Sequence, residues 1–399
     1  MPLGGVGSVW SRGNEKLARR VVLHVGAMKS GTTYLQGALY KNRALLAERG
    51  FLVPGARWRN QIEAVLDVKG RRKHPQGNSV AGAWDRLVAE VDEWDGTALI
   101  SVELLAPVGP ETVERVATSF KGVTPEIVLS LRDINRQIPS MWQELVQNGV
   151  DWTWAEFLTA VNKSRPGSPE RRHSGPGKRF WSEQDMVAIA RRWGQAGPLH
   201  LVTVPPPGSP ATLLLERFGV AMGFDPEGMK SPPPKNTSLG SATVEVLRGL
   251  NAELDRRGLA YPAAMGLRKH VLGKRLMPEL TVDDPRIGLQ APRWTPSFTR
   301  DQAAELRGLD ATVHGDLDDL APVDVRGIDP RKVTDKQVRD AAVASYTALR
   351  TDLNKKLADP TIPGEAIDPG EGRKAPARAV SALADLVEWS VRREELVRT

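Results

Sequence analysis

The chain of 399 residues contains no cysteine. That excludes disulfides, thiolate metal sites and thiol nucleophiles, and it is compatible with the cytoplasm. Histidine is scarce, with six in all, and His74, His173, His200, His270 and His314 show no metal-ligand spacing, so no metal is expected. No apolar run approaches the roughly 18 residues that a membrane span needs. The segment Met1–Arg20 is Gly-rich and then basic, without the apolar stretch and small-residue cleavage site of a signal peptide. The cytoplasm is therefore the expected location. There is no internal repeat and no heptad run. Nor is there a patch of interleaved aromatic and basic residues, so nucleic acid is not an expected partner.

What is present allows a large core. Apolar residues make up 40% of the chain and there are eleven Trp. The length suits one large domain with an appendage, or two domains. A formal charge of +7 suits an anionic ligand but decides nothing about fold.

Short apolar runs alternate with helical periodicity in the first half. Strands are expected at Val21–Val25, Thr97–Val102, Glu126–Leu131 and Leu199–Val204. Between them, helices are expected over Thr32–Arg49, Ser79–Trp94, Glu111–Phe120, a stretch ending near Gln147, and Gln184–Trp193, with Leu213–Met222 following the fourth strand. This alternation predicts an α/β fold, a parallel sheet flanked by helices, with ligands at the carboxyl ends of the strands. Gly70–Gly77 and Lys163–Arg179 read as basic loops, and the latter has the length of a lid. After the Pro-rich break Ser231–Pro234 the remainder is mostly helical: Val244–Leu254, Asp335–Leu357 and Ala379–Arg398. The expected division is a tail (1–20), a P-loop-containing α/β domain (21–255), a helical completion of the core (256–322) and a C-terminal helical extension (323–399).

The most informative segment lies between the first strand and the first helix: Gly26-Ala27-Met28-Lys29-Ser30-Gly31-Thr32-Thr33. Gly26 and Gly31 have the glycine spacing of a phosphate-binding loop in the strand–loop–helix context that such a loop requires. A nucleotide kinase has Lys directly after the second Gly, whereas here Thr32 stands there and the lysine, Lys29, lies inside the loop. Lysine at that place can neutralise charge developing on an oxygen that bridges a phosphate to a transferable group.

The segment Leu23–Gln36 resembles the 5′-phosphosulfate loop of sulfotransferases, especially bacterial ones, and Gly82–Asp85, Val202–Gly208 and Asn236–Leu239 have the look of an actinobacterial-type branch. The resemblance implies that Lys29, Ser30, Gly31, Thr32 and Thr33 bind 3′-phosphoadenosine 5′-phosphosulfate, with Lys29 also catalytic. It further implies an Arg at a strand end and a Ser eight residues on, both for the 3′-phosphate. Arg132 and Ser140, in Leu129–Trp142, match that pattern, with Pro139 expected to delay or kink the helix before Ser140. The likeness covers residues 20–255, and more loosely the chain to 322.

Sulfuryl transfer needs a general base. In the family this is a His or Glu at the end of the strand between the two motifs. Glu103 occupies that position here, with Ser101 two residues earlier as a neighbour of the sulfuryl group; His24 is the rival base. The implied activity is transfer from the phosphosulfate donor to a hydroxyl or amine of a small-molecule, lipid or glycan acceptor, releasing adenosine 3′,5′-bisphosphate. The alternatives are a P-loop kinase or nucleotide-binding protein, and a sulfotransferase fold without activity. Trp142, Trp152 and Trp154 suit either an acceptor pocket or the core. Lys235, before Asn236, is a candidate for a third cofactor element. The C-terminal helices are open to packing on the core, forming a dimer or shaping the acceptor site.

Overall fold

A computed structural model of the chain describes residues 19–74, 77–171, 175–232, 238–259, 264–357, 359, 361–364 and 366–398. Most of the expected tail therefore lies outside the described residues, as do Arg172, His173, Pro233, Pro234, Lys235, Asn236 and Thr237.

Six strands form one sheet: β1 Arg20–Gly26, β2 Phe51–Leu52, β3 Thr97–Ser101, β4 Glu126–Leu131, β5 Leu199–Thr203 and β6 Ala311–His314. Their order is β2-β3-β1-β4-β5-β6, with every pairing parallel. The central strands are apolar on both faces because both faces are covered by helices. Their order reverses at β1, which lies between β3 and β4, so a crevice opens at the carboxyl end of β1.

The helices are α1 Thr32–Lys41, α2 Arg43–Glu48, α3 Trp58–Val68, α4 Ala83–Asp92, α5 Pro110–Ala117, α6 Ile134–Gln147, α7 Trp154–Lys163, α8 Gly175–Gln184, α9 Met186–Trp193, α10 Leu213–Met222, α11 Ser241–Arg256, α12 Thr295–Arg307, α13 Asp335–Leu357 and α14 Ala375–Arg398. On one face Val21, Leu23 and Val25 share a core with residues of α3, α4, α9 and α12. On the other, Val22, Leu99, Val128 and Val202 pack against α1 and α10. A third core joins α6, α7 and α8 to α11, α13 and α14. The expected α/β architecture, a parallel sheet with helices on both faces and a helical C-terminal region, is the one observed.

Several elements differ from expectation. The helix expected over Thr32–Arg49 is two helices. Asn42 breaks it by donating its side-chain amide to the carbonyls of Ala38 and Lys230 (2.8 and 2.9 Å) while accepting the Lys230 N–H (2.7 Å). α4 begins only at Ala83, because Gly82 before it is left-handed. The stretch Lys163–Arg179 is not all loop, since α8 starts at Gly175. α6 starts at Ile134, capped by Asp133, and continues through Pro139 without the expected delay. Burial of Ile134, Ile138, Met141, Trp142 and Leu145 along one face offsets the hydrogen bond that proline removes. Between α11 and α12 runs a π-helical segment, Gly266–Leu276.

Candidate functional site

The loop after β1 needs its two glycines for different reasons. At Gly26 (φ +127°) a Cβ would stand 3.1 Å from the Cβ of Ala106 and 3.5 Å from Glu103. At Gly31 (φ +83°) it would stand 2.6 Å from Leu214 Cδ2. Lys29 is also left-handed (φ +62°), unusual for a residue with a side chain. Arg132 holds it there, its Nη1 donating to the Lys29 carbonyl at 2.8 Å. The Ala27 N–H donates to the Ser130 carbonyl at 3.0 Å, stitching the loop to β4. Ser30 is buried and donates its hydroxyl to the Ala27 carbonyl. Thr32 is buried and Thr33 exposed, in the first turn of α1. Gly31 caps α1 without a side chain, so the positive helix end faces the loop directly.

The second motif meets the first at this point. β4 ends at Leu131 and delivers Arg132 to the loop. Burial, then the neighbouring charge of Arg136, lowers the Arg132 guanidinium to about 10. Its Nε is buried without a hydrogen-bond partner among the described residues. A further anionic oxygen would satisfy it. Arg136 turns elsewhere, donating to the carbonyls of Val204 (3.4 Å) and Pro205 (3.0 Å). Ser140 is half-buried on α6, one helical turn before Glu144, which bonds Lys29.

Glu103 begins a 3-10 turn just past β3. One of its oxygens accepts from Gln36 Nε2 at 2.5 Å, and the same amide donates to the Ser101 carbonyl at 3.1 Å. α1 thus fixes the carboxylate beside Gly26. Ser101 is directed differently. Its hydroxyl is buried against His24 Nδ1 at 2.8 Å, while His24 Nε2 meets the Ser130 hydroxyl at 2.9 Å. The ring lies edge-on to Phe218, with centroids 4.9 Å apart. Burial pushes His24 down to about 3. It is a neutral core residue with both nitrogens engaged, which leaves Glu103 as the more accessible of the two candidate bases.

Other groups at the loop escaped the sequence reading. Glu144 accepts Lys29 Nζ at 2.8 Å and Lys269 Nζ at 3.1 Å. Its spacing from Ser140 was a usable signal; nothing local marks Lys269. Gln184 Nε2 donates to the Met28 carbonyl at 3.1 Å, docking the end of α8 on the loop. Beside it, burial and the charge of Glu144 raise the pKa of Glu183, although Arg179 pairs with it at 2.8 Å. Lys69 donates to the Leu104 carbonyl at 3.1 Å, next to Glu103, and burial lowers its pKa.

The other groups considered lie as follows. Trp142 and Trp154 are buried 5.1 Å apart, and Trp142 Nε1 donates to the Trp152 carbonyl at 3.0 Å. Lys163, Arg171 and Arg179 of the basic stretch each face a carboxylate: Glu170, Asp185 and Glu183. Among the described residues no helix is long and apolar enough to cross a membrane.

No family model matches the chain, and no curated protein matches it. Among solved structures, a sulfotransferase from Alicyclobacillus acidocaldarius is similar at 16% identity, with a TM-score of 0.37, covering 64% of this chain and 97% of that one.

Proposed function

We propose that the protein is a sulfotransferase that moves a sulfuryl group from 3′-phosphoadenosine 5′-phosphosulfate to a hydroxyl or amine. The observation that carries this reading is the meeting of two motifs: Arg132, just past β4, donates to the carbonyl of Lys29 and so docks on the loop that carries that lysine. Lys29, the α1 N-terminus, Ser30, Gly31, Thr32 and Thr33 would hold the 5′ side. Arg132, with its unpartnered Nε, and Ser140 would hold the 3′-phosphate. A triphosphate site has no use for this second half.

The donor supplies a sulfuryl group on a stable leaving phosphate. Glu103, steadied through one oxygen by Gln36, takes the acceptor's proton as the new bond to sulfur forms on the opposite side from the leaving oxygen. Lys29 neutralises the phosphate oxygen that departs with the electron pair of the broken sulfur–oxygen bond. Ser101, the other residue expected near the sulfuryl group, has its hydroxyl engaged with His24. The acceptor is a small molecule, lipid or glycan.

Calorimetry with adenosine 3′,5′-bisphosphate and, separately, ATP–magnesium tests the donor. The bisphosphate is expected to bind and ATP–magnesium is not. Lys29→Ala should weaken bisphosphate binding about tenfold or more and abolish transfer of labelled sulfate. Preference for ATP–magnesium would overturn the reading in favour of a kinase.

A further inference from the structure

Glu144 occupies an unusual position for a carboxylate beside a phosphate-type loop. Its side chain is 13% exposed, and its two oxygens take one ammonium each. Lys29 Nζ lies 2.8 Å from Oε2, and Lys269 Nζ lies 3.1 Å from Oε1. Asn148 Nδ2 adds a bond to Oε1 at 3.2 Å, and Lys269 also donates to Asn148 Oδ1. Burial alone would raise the Glu144 carboxyl. Lys29 and Lys269 outweigh it and hold the group far below the usual carboxylate range.

The two lysines come from distant parts of the chain, one from the loop after β1 and one from the π-helical segment Gly266–Leu276. Glu144 therefore bridges them as a phosphate would, with an oxygen for each. A phosphate group arriving at Lys29 meets a carboxylate already bound to the same ammonium. Two anions at hydrogen-bond distance from one cation repel each other strongly in a half-buried setting. The phosphate therefore gains less at Lys29 than it would from an ammonium without that carboxylate.

We propose that Glu144 is an internal counter-ion that competes with the nucleotide's phosphate oxygens for Lys29 and Lys269, and so limits how tightly nucleotide is held. This rests on the sulfotransferase reading. Such a carboxylate weakens binding of the bisphosphate product and speeds its departure, because it retakes the lysines as the product leaves. Glu144 is thus a positioning residue of the donor site, acting through Lys29.

The test is binding of adenosine 3′,5′-bisphosphate by calorimetry and by stopped-flow dissociation, in wild type, Glu144→Gln and Glu144→Ala. The variants are expected to bind about tenfold tighter, chiefly through slower dissociation. Without nucleotide, amide exchange across residues 266–276 should be faster in Glu144→Ala, where Lys269 loses one of its two partners and keeps Asn148. Equal or weaker binding in both variants, with wild type binding normally, would overturn the proposal and leave the donor assignment standing. No binding by wild type would overturn the donor assignment and the proposal together.

Discussion

β1 carries two polar clusters only a few residues apart, and they are built on opposite principles. His24, on the strand, is sealed between Ser101 and Ser130, neutral, with each ring nitrogen engaged. Lys29, just past the strand's end, belongs to a charged group with Glu144, Lys269 and Arg132 that keeps unused capacity, including the orphan Nε of Arg132. A polar group buried at no net charge and fully paired serves stability and specificity of pairing. A cluster of charges with a donor left over can still take a further partner. The comparison separates a sealed, neutral histidine from a charged lysine, which share a strand and its turn.

The largest expected effect lies in the charged cluster. Arg132→Met removes the donor that fixes the Lys29 carbonyl and the group assigned to the 3′-phosphate. Affinity for adenosine 3′,5′-bisphosphate should fall about 100-fold by calorimetry, close to 3 kcal/mol. A change of twofold or less would dissolve the distinction between the clusters.

The neutral cluster should respond in stability instead. His24→Leu leaves two buried serine hydroxyls without their partner, a loss of about 2–4 kcal/mol in urea unfolding, with bisphosphate affinity nearly unchanged. The same residue gives an acid dependence. Its folded-state pKa, about 3, lies below the ordinary 6.5, so the unfolded chain binds the extra proton first. The contribution of neutral His24 is complete above pH 6.5 and is lost as pH falls toward 3. Wild type should lose about 1.4 kcal/mol per pH unit more than His24→Leu within that window. Parallel curves would mean that the histidine is not sealed.

The smallest effect belongs to the C-terminal helices. Arg275, in the π-helical segment, makes a fork to Asp352 of α13 at 2.8 and 2.7 Å. Asp352→Asn should cost about 0.5 kcal/mol, since the pair is partly exposed, and should quicken amide exchange across 266–276. Unchanged exchange would mean that α13 does not brace the segment carrying Lys269.

The sequence was most legible where one local rule decides the structure. Glu126–Leu131 and Asp335–Leu357 form as their apolar patterns indicate. β6 was missed because Ala311–His314 has no apolar run and gains its place only by pairing with β5. Asn42 looks innocuous within a helical pattern until Lys230 supplies the partner that breaks the helix. The site divides in the same way. The strand–loop–helix context drew attention to Lys29, and the resemblance to a known second motif drew it to Arg132 and Ser140. Glu144 and Lys269 are 125 residues apart and meet only through the third core. Ser101 illustrates the limit of strand alternation: period two fixed its face, but the His24 ring across β1 decided what its hydroxyl does.

The bond from Arg132 to the Lys29 carbonyl joins residues 103 positions apart, and that separation orders events in time. A chain synthesised from its N-terminus completes β1 and the following turn well before residue 132 exists. Until β4 has paired with β1, the tie that keeps Lys29 left-handed is missing. The loop after β1 therefore becomes native only once β4 has been made and paired. A ligand that recognises only the finished loop slows the unraveling of the mature protein and leaves its rate of assembly untouched.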